Sequence, residues 1–503
     1  MKKITGKSKY GILLITFLLM TLSYGKVEAQ LFQTTFKVNG RVIKINELNK
    51  KIEGIIDSAS IPGLSFAVID HNEVVFYHTY GFKQIEKLPR GTIRHKGKVN
   101  KRSLFEACSL SKSFFVFAVQ QLVDQGVLNL DTPLYRYLTY PRLEHDERYK
   151  KITGRMILSH SSGIENWQHY NAPDKLEIVS EPGKEFVYSG EGYVYLSKVI
   201  EKLLGTSTEN YMKELVYKPL KLKRTFTVFS KDGLSPDNYT VGHNNFMEPS
   251  SKEKNQSPNI AGLINTTAND YAKLLIGFFK NNNYLSQKRI SEMTGADTNK
   301  HYPMMDKNDY WGPGFGVNHE ERDTVLFQAG NNDVFKGFGF YSYTRKSGYV
   351  MFANGEPGDR IIKILDSLTT AQHHIFDFNS QYPNSTLKIL NVYNKQGYLP
   401  ALDYFNVLLS EKGNLISKKD FSEWANLFLE KEPKFSAAIA MEYENRYPSC
   451  QDAFILHGNA MVKIKRIEDG IRDYKKAIEL DNTSRVQLEN LIAQCYDLLK
   501  KEQ

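Results

Sequence analysis

The sequence predicts an α+β domain followed by an all-α one, and three observations carry that prediction. Strand-like alternation stands at both ends of the first domain, in "LSFAVIDHNEVVFYHTYG" and "YSYTRKSGYVMFAN". Between them, from about residue 105 to 225, apolar residues recur mostly at three- and four-residue spacing, the period of helices. From about residue 388 the pattern is helical throughout. First and last strands with helices between them fit one antiparallel sheet flanked by helices, with a helical subdomain beside it.

Residues 1–29 have the form of a secretory signal. Lys2, Lys3, Lys7 and Lys9 precede the apolar "YGILLITFLLMTLSYG", and small residues in "VEA" precede Gln30. Cleavage near Ala29-Gln30 would give a secreted or periplasmic protein without a membrane span. An uncleaved anchor is the alternative, although the apolar run is short for a bilayer. The α+β domain is expected over 36–378. Within it "INELNKKIEGIIDSASIPG" reads as a helix stopped by Pro62-Gly63, and Asp70-His71-Asn72 as the turn between two strands. "RKSG" reads as the turn of the late strand pair and "RIIKILDSLTTAQ" as the helix after it.

The polar "DFNSQYPNSTLK" marks a linker, 379–400, ahead of a helical domain over 401–503. Residues 453–482 resemble a tetratricopeptide repeat: Phe454, Gly458, Gly470, Tyr474 and Ala477 fall at its bulky, small and aromatic positions. An ordinary helical bundle is the alternative. Either would suit a protein partner.

Of 503 residues, 41% are hydrophobic and 12% aromatic, which is ordinary globular composition. The formal charge of +10 falls to about +6 without the first 29 residues, and the remaining basic residues are interspersed with acids. No nucleic-acid partner is expected from that distribution. Cys108, Cys450 and Cys495 are too few for a disulfide framework and match no zinc spacing, so neither metal nor cofactor is expected. Whether Cys450 pairs with Cys495 the sequence leaves open.

The chemistry concentrates in "FEACSLSKSFFVFAVQQLVDQG". Ser109 stands three residues before Lys112 at the start of an apolar stripe, Phe114, Ala118 and Leu122. The same spacing recurs at Ser251–Lys254 and Ser385–Lys388, in a polar loop and the expected linker, so only Ser109 has a helical setting. Positions i and i+3 share a helix face, and the helix N-terminus favours negative charge developing at the serine. An amine on the buried side loses hydration of its ammonium form and so becomes a base for the hydroxyl beside it.

Other stretches follow in order: "IPGLSFAVID", "GVLNLDTPLYRYL", "ITGRMILSHSSGI", "EPGKEFVYSGEGYVYLSKVIEKLLG", "AGLINTTANDYAKLL" and "FQAGNNDVFKGFGFYSYTRKSGYVMFANG". With "FEACSLSKSF", this series resembles the class C β-lactamases and penicillin-binding-protein-like serine hydrolases and esterases over roughly residues 45 to 375. The resemblance implies a β-lactamase/transpeptidase-like fold, with Ser109 as acyl-accepting nucleophile and Lys112 as its base or proton relay. It implies Tyr188 as a second base acting on the leaving group and on water, and the amides of Ser109 and Asn331 as the oxyanion hole. Packing in a core is the alternative for Tyr188, and His160 in "LSHSSG" belongs to a structural turn in this family.

Two departures concern substrate binding. The family's Tyr-Ser-Asn is here Tyr188-Ser189-Gly190, with Glu191 as a candidate substitute for the missing amide. Its Lys-or-His, any residue, Gly is here Gln328-Ala329-Gly330, so the charge that meets a substrate carboxylate is absent unless Lys336 turns inward. The expected activity is hydrolysis of a small-molecule or peptide ester or amide through a Ser109 acyl-enzyme. A D-alanyl-D-alanine peptidase, penicillin-binding or β-lactam-hydrolysing role is one alternative. A weakly active or inactive binding protein acting through its helical domain is the other.

Overall fold

The computed structural model describes residues 34–502 except 88–92, 168–173, 229–237, 251–256, 281–283, 296–308, 321–322, 371–383 and 413–414. The expected signal, 1–29, lies outside the described residues. None of the described helices is long and apolar enough to cross a membrane.

A ribbon, β1 (Thr35–Val38) and β2 (Arg41–Lys44), leads into α1 (Ile45–Ser58), whose Leu48, Ile52 and Ile56 are buried at helical spacing. Next come β3 (Gly63–Asp70), β4 (Glu73–Lys87) and β5 (Ile93–Lys98). His71 and Asn72 take left-handed φ values of 49° and 62° between β3 and β4, so the predicted turn is where the backbone reverses. The late strands are β6 (Asp309–Trp311), β7 (Gly316–Glu320), β8 (Asp323–Asn331), β9 (Lys336–Ser342) and β10 (Ser347–Ala353). All pairings are antiparallel, in the order β5-β4-β3-β10-β9-β8-β7-β6, so first and last strands do adjoin. The late hairpin turns at Tyr343–Lys346, two residues earlier than "RKSG" suggests, because Lys346 supplies the left-handed residue at φ 56°.

The sheet is buried on both faces. On β3, Phe66 and Val68 pack toward α1 and the terminal ribbon, while Ala67 and Ile69 join the core of the helical subdomain. That subdomain centres on α2 (Ser111–Asp124), with α3 (Gly190–Leu204) and α4 (Ala268–Phe279) around it. Every residue of α2 from Ser111 to Leu122 is buried, so it is a central helix and not the one-sided helix its stripe suggests. The interval 105–225 is also less helical than its spacing predicts. Much of 125–189 is loop, pinned by side chains of α3: the Tyr193 hydroxyl donates to Leu158 O at 3.2 Å and that of Tyr195 to Leu138 O at 2.7 Å. After β10 a 3₁₀ turn, Glu356–Ile361, enters α5 (Ile362–Leu368).

Of the expected linker, residues 379–383 lie outside the described residues and most of the rest is α6 (Asn384–Gln396), which starts inside the polar segment and is followed by α7 (Tyr398–Lys412). Polar residues of α6 bond to the α+β domain. Asn394 Nδ2 donates to Asn245 O at 2.9 Å, and Lys395 Nζ lies 2.7 Å from Asp57 Oδ2. Leu387 is buried under the sheet. Beyond are α8 (Lys418–Leu429), α9 (Pro433–Arg446), α10 (Gln451–Lys463), α11 (Ile467–Leu480) and α12 (Arg485–Glu502), each packed on the next as in a solenoid. Gly458 and Gly470 lie where α10 and α11 cross, with Tyr474 against Gly458. Cys450 and Cys495 are both free thiols.

Three of these helices share a buried charged trio. His457 Nδ1 on α10 stands 2.9 Å from Glu444 Oε1 on α9 and 3.2 Å from Asp473 Oδ2 on α11. Burial pulls the imidazole pKa down, but the bonds to Asp473 and Glu444 outweigh it and push it up to about 9. The folded state therefore holds the proton more tightly than the unfolded chain, whose histidine titrates near ~6.5. The stabilisation is complete below that pH and is lost as pH rises through 9. Urea melts of the helical region should lose about 2 kcal/mol between pH 7 and 10, less than the full linkage value because the group is partly solvated. A His457→Gln variant should lack that slope, and an equal slope in both proteins would refute the assignment.

Candidate active site

The cleft lies where β8 outruns its neighbour. β7 leaves β8 at the Phe327↔Gly316 pair, so Gln328 to Asn331 form a free edge on that side. Against this edge packs a 3₁₀ turn, Cys108–Leu110, that leads into α2. The contact needs glycine at 330: a Cβ there would lie 2.8 Å from Cys108 Cβ and 2.9 Å from Leu110 Cδ1. Cys108 itself adopts φ 51°, held by burial and by its thiol donating to Phe335 O at 3.3 Å. Asn332 fixes the strand end, its amide donating to Glu106 Oε2 and Gly262 O, both at 2.9 Å.

In a 3₁₀ turn, residues i and i+3 eclipse, which stacks Lys112 beneath Ser109. Lys112 is fully buried, and its Nζ lies 3.4 Å from Ser109 Oγ and 2.6 Å from Ala261 O. Segment 261–264 is held there because Ile264 N donates to Ser111 Oγ at 3.1 Å. Tyr188 comes from the loop before α3. Ser189 caps that helix, accepting from Gly192 N at 3.0 Å, while its own N–H donates to His160 Nδ1 at 3.0 Å.

The Tyr188 ring packs on His160 at 4.1 Å between centroids and edge-on to Trp311 at 5.9 Å. Lys112 Nζ stands 4.8 Å from its centroid, over the face of the ring and not on the hydroxyl. The Tyr188 hydroxyl is buried and has no hydrogen-bond partner among the described residues, which leaves it open to a substrate or water group. His160 is fully buried, and burial, reinforced by the charge of Lys112, holds its pKa well below the usual value. It orients Ser189 and Tyr188 as a neutral ring.

Ser109, Tyr188, Gln328, Gly330 and Asn331 line one cleft of about 450 Å³. Gln328 is nearly inaccessible; its amide donates to Ala329 O at 2.8 Å, and its Oε1 has no hydrogen-bond partner among the described residues. Lys336 does turn inward: it lines the cleft, and its Nζ donates to Asn331 Oδ1 at 2.7 Å. Asp359 lines the cleft as well, its carboxyl pKa raised by burial against the opposing pull of Lys336.

Glu191 is engaged elsewhere: it is buried, its Oε2 accepts from Arg142 at 2.8 Å, and it is not among the residues that line the cleft. Sequence reasoning missed Ala261, whose contribution is a backbone carbonyl that no side-chain type advertises. It also missed Asp359, Trp311 and the pair Asn166-Trp167, which follow directly on the quoted "SHSSGI" and whose only signal was a tryptophan in a loop.

A model of the Beta-lactamase family matches residues 48–368. Over 222 residues the chain is 26% identical to an N-acetylmuramyl-L-alanine amidase of Bacillus subtilis (strain 168), covering 39% of this chain and 49% of that protein. The chain thus spans about half the length of that relative. A solved class C beta-lactamase superposes with TM-score 0.52 at 20% identity, covering 64% of this chain and 96% of that one. D-amino acid amidase from Ochrobactrum anthropi SV3 superposes with TM-score 0.50 at 20% identity, covering 64% and 99%. The family match extends over most of the α+β domain, whose sheet and helical subdomain have the architecture of those two structures. The chain belongs to the beta-lactamase family and has its serine hydrolase and transpeptidase-like fold.

Proposed function

We propose that the chain is an exported serine hydrolase that cleaves an ester or amide through an acyl-enzyme on Ser109. One observation carries the reading: the buried Lys112 amine lies 3.4 Å from the hydroxyl of Ser109, which lines a cleft together with Tyr188. The hydroxyl oxygen attacks the substrate carbonyl and its proton passes to the Lys112–Tyr188 pair, which enters the reaction carrying one proton fewer than its two groups can hold. The resulting oxyanion lies between the amides of Ser109 and Asn331. Tyr188 returns the proton to the leaving alcohol or amine as the scissile bond breaks, and water then repeats the attack on the acyl-serine. Export rests on the lysine-rich, apolar N-terminus, and the helical array on α7 to α12 is the surface for a protein partner.

A second reading, a penicillin-binding or D-alanyl-D-alanine peptidase role, is favoured by Lys336. Its ammonium in the cleft supplies the charge for a substrate carboxylate that Gln328 lacks. Intact-mass measurement after incubation with p-nitrophenyl acetate and with penicillin G separates the readings. An acyl adduct on the wild type that is absent from Ser109→Ala is the expected result. Faster adduct formation with penicillin, lost in Lys336→Gln, would shift the assignment to the second. No adduct with either compound would leave only the binding-protein alternative.

A further inference from the structure

Resting on the hydrolase reading, we infer that Trp167 and Gly190 form a matched pair that sets substrate preference. Trp167 fills the space a side chain at 190 would occupy, giving the cleft an aromatic wall beside Tyr188 for a planar apolar group of the substrate. A Cβ built on Gly190 would lie 2.4 Å from Trp167 Cη2, 2.7 Å from Cζ2 and 2.9 Å from Cζ3. Real side chains do not come that close, so any residue but glycine displaces the indole.

The indole is held there by its neighbour. Asn166 accepts from Gly190 N through Oδ1 at 2.8 Å and from Glu191 N through its carbonyl at 3.1 Å, satisfying two of the open amides at the start of α3. Trp167 is nevertheless 48% exposed, and it lines the cleft with Ser109. A large aromatic half open to solvent beside a nucleophile is a surface that gains by being covered. Phe186, Trp311 and Phe327 extend the apolar lining. Where a polar amide would select a substrate by hydrogen bonding, this cleft offers a ring face, and an aryl group stacked on it gains what an alkyl chain does not.

The test uses the full chain with Trp167→Ala, Gly190→Asn and the double variant. Hydrolysis of vinyl phenylacetate and of phenyl acetate is compared with that of vinyl acetate, which places the aryl group in either half of the ester. In Trp167→Ala the aryl preference in kcat/KM should fall about tenfold for at least one aryl ester, mainly through KM. Gly190→Asn should lose the same preference and melt lower than wild type, and the double variant should recover part of that melting loss because the clash is gone. An unchanged aryl preference in Trp167→Ala, or melting changes that simply add, would overturn the pairing. If the wild type hydrolyses none of the three esters, the hydrolase reading and the substrate preference fall together. The steric pairing is then still decided by the melting cycle alone.

Discussion

Ser109→Ala and Lys112→Met are each expected to lower kcat/KM on an activated ester by about 10⁴-fold, and the double variant to be no slower than either single one. In the proposed mechanism hydroxyl and amine act as one unit: without the amine the hydroxyl lacks its base, and without the hydroxyl the amine has nothing to activate. Methionine keeps the length and volume of the buried lysine stem, so α2 retains its packing. It does leave Ala261 O without its 2.6 Å donor, which costs about 1–3 kcal/mol of stability and is read separately by thermal melting. The measurement is steady-state hydrolysis of p-nitrophenyl acetate by the three variants. Losses that multiply in the double variant, or a Lys112→Met enzyme within tenfold of wild type, would show that the lysine is not the base.

Gly330→Ala should lower kcat by about 10²-fold while leaving KM within a few fold. The added methyl meets Cys108 Cβ at 2.8 Å, Leu110 Cδ1 at 2.9 Å and Ala107 O at 3.1 Å. Two of these are backbone or near-backbone atoms that cannot swing away, so the turn carrying Ser109 and the strand carrying Asn331 must part. In the proposed mechanism those two segments supply the two amides that receive the oxyanion, and a shift of a few tenths of an ångström weakens both bonds in the transition state. The stability cost of overpacking is about 1–3 kcal/mol, so the variant should remain folded at room temperature. A full kcat with a lowered melting temperature would mean that the contact serves packing alone.

Both predictions depend on features that differ in how far the sequence shows them. Ser109 and Lys112 are legible because the relation is local: three residues apart at a helix start leaves little freedom in geometry. The β3–β4 hairpin is legible for the same reason, since His71 and Asn72 tolerate the left-handed backbone its turn requires. Tyr188 was reached only through family resemblance, because nothing in "EFVYSG" tells it from the other tyrosines. The engagement of Glu191 was not legible, because its partner, Arg142, lies 49 residues away and no local pattern announces the pair. That α6 starts inside the polar "DFNSQYPNSTLK" was hidden, because Leu387 among polar residues gives no helical period to read. Gly190 illustrates a different limit: its absence of a side chain was visible, but what occupies the vacated space was not.

The docking of α6 sets where this protein can be divided. With Leu387 seated under the sheet and Lys395 tied to Asp57, the first helix of the C-terminal region is a buttress of the α+β domain rather than a tether to it. A fragment ended near the nominal family boundary would lose that support, so a self-sufficient α+β unit runs past Gln396.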